Sequence, residues 1–411
     1  MQQETPEMDY DHFLARRVKA IKTSATIAIN EKATRMRARG VDVISFAVGE
    51  PDFDTPQNIK KAAVEAIESG FTKYTAVAGI VELKEAIAEK FHNDNGLAYK
   101  PAQISVACGA KHALYNIAQV LWDKGDEVII LAPYWVSYTD QVILTGATPV
   151  IFDTSKFKNF AIPRDELKAL ITPRTRAILI NSPSNPTGKV YNRSELESIA
   201  QLAVENDLLI ISDEIYEKIL YDGTEFVSIA ALGNEIQQRT ITINGVSKAY
   251  AMTGWRIAYA AGPEKIIQAM NKIQGQATSA PNSIAQKASI AALCGPQAQV
   301  DIMRREYQKR RDYIINELNT IEGIDCNIPS GAFYAYPNVS KLYGSKYGDQ
   351  VITDSVGFCA YVLDETQVAL VPGLAFGTDD FVRISYATSM ENIKTGMGRI
   401  KLSLEKLKGE K

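Results

Sequence analysis

Cysteine and histidine are scarce in this 411-residue sequence, with four of the first and three of the second. Cys108, Cys294, Cys326 and Cys359 stand far apart without a CxxC pair, and His12, His92 and His112 show no ligand spacing. A disulfide framework and a zinc site are therefore not expected, and a reducing cytoplasm is the simpler compartment. Catalysis has to come from something other than a protein-bound transition metal or a Ser-His-Asp triad. An excess of either charge is missing too: 45 Lys and Arg against 48 Asp and Glu leave a formal net charge of −3. That balance gives no reason to expect nucleic acid or an anionic membrane as a partner. No apolar run reaches the length of a membrane span, the candidates being short strands such as Val128 to Leu131. The stretch Met1 to Asp11 is polar and acidic, unlike a secretory or mitochondrial targeting segment. No GxGxxG follows an early strand, which argues against a nicotinamide dehydrogenase.

What is present reads as an ordinary globular chain, 46% hydrophobic and 23% charged, long enough for two domains. Seven β-rich runs recur: Ile104–Cys108, Glu127–Leu131, Thr148–Phe152, Arg176–Ile180, Leu208–Ser212, Thr240–Asn244 and Ile257–Ala261. Amphipathic segments separate most of them, such as Arg193–Glu205 with Leu196, Ile199, Ala200, Ala203 and Val204 on one face. This alternation predicts an α/β fold, a large domain with a mostly parallel seven-stranded sheet. After about Pro296 the texture changes to a long charged helix (297–317), short strand-like pieces (332–336, 368–370, 382–385) and a terminal helix from Glu391. These predict a smaller α+β domain, to which the helix 27–39 and strand 42–47 could add. The expected division is 1–55 as an N-terminal arm and part of the small domain, 56–296 as the large domain, and 297–411 as the remainder.

The segment Ser247-Lys248-Ala249-Tyr250-Ala251-Met252-Thr253-Gly254-Trp255-Arg256 follows the run Thr240–Ile243. A lysine that condenses with an aldehyde needs a sheltered site and a deprotonated amine. An arginine eight residues on offers a planar fork suited to a phosphate. An aldehyde and a phosphate together describe pyridoxal 5′-phosphate (PLP).

Other strand ends supply candidates, each with a plainer reading beside it. Asp213, after the run Leu208–Ile211, could hold a pyridine nitrogen protonated, with Tyr216 three residues on reaching the phenolic oxygen. Alone, it reads more simply as a helix cap. Asn185 sits in the stiff loop Asn181-Ser182-Pro183-Ser184-Asn185-Pro186-Thr187-Gly188, which is otherwise a proline-rich turn. Gly109, Ala110 and Lys111 precede a helix from about His112, where open amides favour a phosphate, or make an ordinary turn. Trp135 could stack on a ring or simply fill core. Arg383, flanked by apolar residues, is costly to bury without an anion, so it meets a substrate carboxylate or a structural salt bridge.

As an ordered set, these segments resemble the fold-type I PLP enzymes, specifically the class I aminotransferases, and among them the bacterial and plant-plastid branch of aspartate aminotransferases. The likeness runs from about Val18 to the terminal helix. It rests on Gly49-Glu50-Pro51-Asp52-Phe53-Asp54-Thr55-Pro56, Lys73-Tyr74, Pro133-Tyr134-Trp135-Val136-Ser137-Tyr138, Asn185-Pro186-Thr187-Gly188, Ser212-Asp213-Glu214-Ile215-Tyr216, the Lys248 segment and Arg383-Ile384-Ser385-Tyr386.

The resemblance implies that Lys248 condenses with PLP and carries the proton, and that Asp213 pairs with the pyridine nitrogen. It gives Tyr216 and Asn185 to the phenolic oxygen and Trp135 to the ring face. Arg256, Ser247 and the Gly109–Lys111 turn would face the phosphate, joined by Tyr74 from a neighbouring subunit, so a homodimer with sites at the subunit interface is implied. Arg383 and the Gly49 backbone would hold the substrate α-carboxylate. The expected activity is a ping-pong transfer of the amino group of L-aspartate or L-glutamate to a 2-oxo acid.

Two positions depart from the pattern. Gly245 stands where many relatives carry a phosphate-binding serine. The arginine that reads the distal carboxylate in the animal-type branch has no counterpart around Thr278–Asn282. In the branch resembled here a lysine and small hydroxyls do that work, and Lys111 with Ser24 and Thr26 fit, a pattern that also accompanies prephenate transamination. The same cofactor residues would serve an aromatic or kynurenine aminotransferase or a β-lyase. A non-enzymatic aminotransferase-like DNA-binding regulator is disfavoured by the missing basic patch.

Overall fold

The computed structural model describes residues 8, 10–21, 25–348 and 350–409. Its centre is one seven-stranded sheet built from β1 (Ile104–Ala107), β2 (Glu127–Ala132), β3 (Thr148–Asp153), β4 (Thr175–Asn181), β5 (Leu209–Asp213), β6 (Thr240–Gly245) and β7 (Ala258–Ala261). The spatial order is β1-β7-β6-β5-β4-β2-β3. Strands β3, β2, β4, β5 and β6 run parallel to one another, and β7 lies antiparallel to both its neighbours. All seven expected runs are strands, and the sheet is α/β as the alternation predicts.

Every residue of β2 is buried, which is why its sequence is a continuous apolar run rather than an alternating one. The helix Arg193–Glu205 matches its expected span because a capping box fixes its start. Asn192 Oδ1 accepts from the Glu195 amide at 3.0 Å, while Glu195 Oε2 accepts from the Asn192 amide at 3.0 Å. Gly245 ends β6 against β7, and a Cβ there would lie 2.8 Å from the Cβ of Ala258. A serine at that position would push the two strands apart, so close strand packing accounts for the glycine.

Beyond the sheet, the helix Ala298–Asn319 packs over a second buried core of Tyr307, Phe333, Tyr334, Phe358 and Ile384. A three-stranded antiparallel sheet joins Val371–Pro372, Val382–Ser385 and Tyr334–Ala335. The expected strand 42–47 is only Ile44–Ser45, since two residues alone pair in register, parallel to Val368–Ala369. This pairing brings the early segment beside Arg383, as the Ser385 amide donates to the Phe46 carbonyl at 2.8 Å. No helix among the described residues is long and apolar enough to cross a membrane.

Candidate active site

Parallel strands deliver their carboxyl ends to one edge of the sheet, where ligands of such folds gather. There β5 ends in Asp213, β4 in Asn181, and β6 leads through Gly245 to Lys248. A cavity of about 420 Å³ opens at this edge, between the strand ends and the segments of Ala47–Glu50, Tyr334 and Arg383. Of the expected site residues, Gly49, Ala110, Lys111, Trp135, Asn185, Asp213, Tyr216, Ser247, Lys248, Arg256 and Arg383 all line it.

Lys248 Nζ donates to the Gly49 carbonyl at 2.6 Å. Burial lowers the amine to about 8, and the Arg383 charge adds to that effect. The lysine is thereby brought near the pH at which its neutral form is populated. Asp213 is 3% exposed, and burial pushes its carboxyl up to about 6 against the pull of a hydrogen bond from Tyr138 Oη to Oδ2 at 2.7 Å. A carboxylate so placed gains from any cationic group brought against it.

Arg383 is 5% exposed, and no carboxylate among the described residues forms an ion pair with it. Its Nη2 donates to the Ala47 carbonyl at 2.7 Å and its Nη1 to Asn185 Oδ1 at 3.1 Å, while Nε is buried without a partner. The guanidinium lies 4.7 Å from the Tyr334 ring centroid and 5.0 Å from that of Phe376. This is a desolvated cation held in a fixed plane, which an anion would complete. Asn185 is itself aimed by Asn181, whose Oδ1 accepts from the Asn185 amide at 2.7 Å.

At the other end, Arg256 adopts a left-handed backbone (φ 57°) and donates to the carbonyls of Thr253 at 3.0 Å and Cys108 at 3.3 Å. Gly109 (φ 88°) caps the helix Ala110–Leu121 with no side-chain hydrogen bond, so the helix starts two residues before His112. A Cβ at Gly109 would collide with the Arg256 guanidinium. Bare amides, a helix N-terminus and an arginine fork meet here, a cradle suited to a phosphate. Trp135 packs edge-on against Tyr138, and Lys111 Nζ sits 4.9 Å from the Trp135 ring centroid.

One expected residue stands elsewhere, as Gly109 backs Arg256 rather than lining the cavity. Tyr74, expected at the site of a neighbouring subunit, is 94% exposed and does not line this cavity. Ser24 lies outside the described residues, as does the side chain of Thr26. Sequence reasoning assigned nothing to Tyr138, Asn181, Glu50, Thr253 or Tyr334, all of which line the cavity. Tyr138 stood within one of the quoted motifs, but only the fold shows that it reaches Asp213.

The donor set fits PLP: a phosphate cradle at Arg256, an amine at Lys248, a buried carboxylate at Asp213 and a flat aromatic wall at Trp135. Fold and site together define a PLP-dependent transferase of fold type I. The chain belongs to the aminotransferase class I and II family, whose model matches residues 41–400. It is 49% identical over 392 residues to an aspartate aminotransferase of Geobacillus stearothermophilus, covering 95% of this chain and 99% of that one. It is 48% identical over 390 residues to an aspartate/prephenate aminotransferase of Nitrosomonas europaea, covering 94% and 98%. Among solved structures, the aspartate aminotransferase of Rhizobium meliloti superposes with a TM-score of 0.93 at 45% identity, over 95% of this chain and 98% of that one. The Thermus thermophilus enzyme with maleate gives 0.89 at 44% identity, over 95% and 99%.

Proposed function

We propose that this protein is an aspartate aminotransferase that moves the amino group of L-aspartate or L-glutamate to a 2-oxo acid in a ping-pong cycle. The observation that carries the reading is Arg383, a buried cation without a carboxylate partner, in the same cavity as the lowered amine of Lys248. When bound, PLP supplies a carbonyl for amine exchange and a protonated ring that accepts the electron pair left by the substrate α-proton.

The chain's own residues then divide the work. Arg383 and the Gly49 backbone hold the α-carboxylate, with Asn185 fixing the arginine plane. Lys248 Nζ, its proton affinity lowered to about 8, takes the proton from the substrate α-carbon. Asp213 keeps its proton-bearing ring partner cationic, and Tyr138 orients Asp213. Tyr216 would donate to the phenolic oxygen, Trp135 would cover the ring, and Arg256, Ser247 and the Gly109–Lys111 turn would face the phosphate, Gly109 by backing Arg256. Lys111 reads the distal carboxylate, with Ser24 and Thr26 beside it.

We assign residues 56–296 to a large domain, and 1–55 with 297–411 to a small one, in a cytoplasmic homodimer in which Tyr74 reaches the neighbouring site. Prephenate is the natural second acceptor to test, given the relative named for it. The deciding experiment is a panel of amino donors against oxaloacetate, 2-oxoglutarate and prephenate, with Lys248→Ala as control. Turnover of aspartate well above phenylalanine and a cysteine conjugate is expected. Unchanged half-transamination in Lys248→Ala, or no PLP bound after reconstitution, overturns the reading.

A further inference from the structure

Tyr334 belongs to no motif that announced the site, yet it touches three of its working parts. Its hydroxyl lies 2.8 Å from the Tyr216 hydroxyl, with both residues fully buried. Its ring is the platform on which the Arg383 guanidinium rests, 4.7 Å from the centroid. Its Oη also packs against Gly49, where a Cβ would come within 2.9 Å. The strand Tyr334–Ala335 pairs with Val382–Ser385, Tyr334 facing Ser385 in register, so the backbone that carries Arg383 also fixes this tyrosine.

We propose that Tyr334 is a positioning residue that donates its hydroxyl hydrogen to Tyr216, so that Tyr216 spends its own single hydrogen on the cofactor's phenolic oxygen. The inference rests on the proposed function, which gives Tyr216 that task. The direction follows from counting hydrogens. Either oxygen of the pair could be the donor in isolation. If Tyr216 donated to Tyr334, it would have no hydrogen left for the phenolic oxygen. Burial raises both phenols above their ordinary value, so each keeps one hydrogen at working pH and no more.

A hydroxyl that accepts a hydrogen bond becomes a better donor, because the chain of bonds polarises in one direction. Tyr334 therefore strengthens the bond that stabilises negative charge on the phenolic oxygen. The stacked Arg383 polarises the same ring, so the site that receives the substrate carboxylate and the site that tunes the cofactor share one side chain. Phenylalanine at 334 would keep the platform and remove only the relay.

The test is a pH titration of the visible absorbance of the PLP-loaded protein, wild type against Tyr334→Phe. Removing the relay weakens stabilisation of the form with negative phenolic oxygen, so the midpoint should move up, by about half a unit to one unit. A fall in kcat of about fivefold is expected, with the KM for aspartate and the affinity for a dicarboxylate inhibitor such as succinate unchanged because the Arg383 platform remains. In a Tyr216→Phe background the same substitution should produce no further shift. An unchanged midpoint, or a shift confined to KM and inhibitor affinity, overturns the proposal and leaves Tyr334 as packing. If Tyr334→Phe fails to fold, 3-fluorotyrosine at 334 decides instead. It is a stronger donor of nearly the same shape, so the midpoint must move down, and no movement overturns the relay. Wild-type protein that neither binds PLP nor transaminates would overturn the proposed function itself, an outcome separate from unchanged titration in an active enzyme.

Discussion

Tyr138 donates its hydroxyl hydrogen to Oδ2 of Asp213 at 2.7 Å, both residues being buried in the cavity wall. Burial raises the Asp213 carboxyl to about 6, and this bond limits the rise. The backbone contributes as well, since the Ile215 amide points at Oδ1 from 3.3 Å. The aspartate therefore carries a burial cost that a cationic group brought against it would offset.

That arrangement predicts how the cofactor-free protein responds to pH. A carboxyl raised in the folded state binds its proton more tightly there than in the unfolded chain. Its contribution is fully present below the unfolded value of 3.8 and is lost as pH rises through about 6. Asp213→Asn should remove about 3 kcal/mol of the difference between pH 4 and pH 8 in urea-unfolding stability. A variant with the same pH slope as wild type would sink this account. Tyr138→Phe should act the other way, raising Asp213 further and weakening PLP binding by roughly tenfold, read by equilibrium dialysis.

Lys248 carries the opposite sign. Its folded amine, lowered to about 8, binds a proton less tightly than the unfolded chain does. The resulting destabilisation is complete below pH 8 and is relieved as pH approaches the unfolded value of 10.5. Lys248→Met should abolish transamination while stabilising the cofactor-free protein at pH 7 by up to about 3 kcal/mol. The gain should shrink by pH 10, where wild-type lysine is neutral. Denaturant titrations at the two pH values check this, and a gain independent of pH would assign it to packing instead.

Much of this architecture was legible because its signals are local. The fully buried β2 announces itself as an unbroken apolar run, and Asn192 with Glu195 marks a helix start to the residue. Lys248, Asp213 and Arg383 stood out because each is a charged group placed where burial is costly, which is a chemical signal visible in sequence. Tyr334 and Tyr138 gave none. A buried aromatic in a strand, like Tyr334, or in a helix, like Tyr138, reads as core, and what distinguishes these two is a hydroxyl aimed at a partner 118 or 75 residues away. Gly245 shows the same limit in reverse: the serine expected by resemblance is replaced by a glycine whose reason is the neighbouring strand, 2.8 Å from where a Cβ would sit.

Gly109 offers a test of the phosphate cradle that deletes no hydrogen-bonding side chain. Its φ of 88° is strained for an alanine, and the added Cβ would meet the Arg256 guanidinium. Gly109→Ala should therefore displace Arg256 and weaken PLP binding by at least about tenfold, with pyridoxal lacking the phosphate affected far less. Equal losses for the two ligands would place the damage elsewhere than the phosphate end.

In the proposed function Lys111 governs substrate choice rather than chemistry. Its ammonium lies over Trp135, and partial desolvation, with the Arg256 charge, holds its proton affinity below the ordinary lysine value. A distal carboxylate brought against it would favour the charged form. Lys111→Ser removes that partner without touching Lys248, Asp213 or Arg383. The kcat/KM for aspartate should fall by about 10- to 100-fold, as expected for one charge-assisted bond, while that for phenylalanine holds steady or rises. Measuring both amino acids against 2-oxoglutarate separates the outcomes. Parallel losses would mean that Lys111 serves the PLP phosphate beside Arg256, and the distal carboxylate would need another reader.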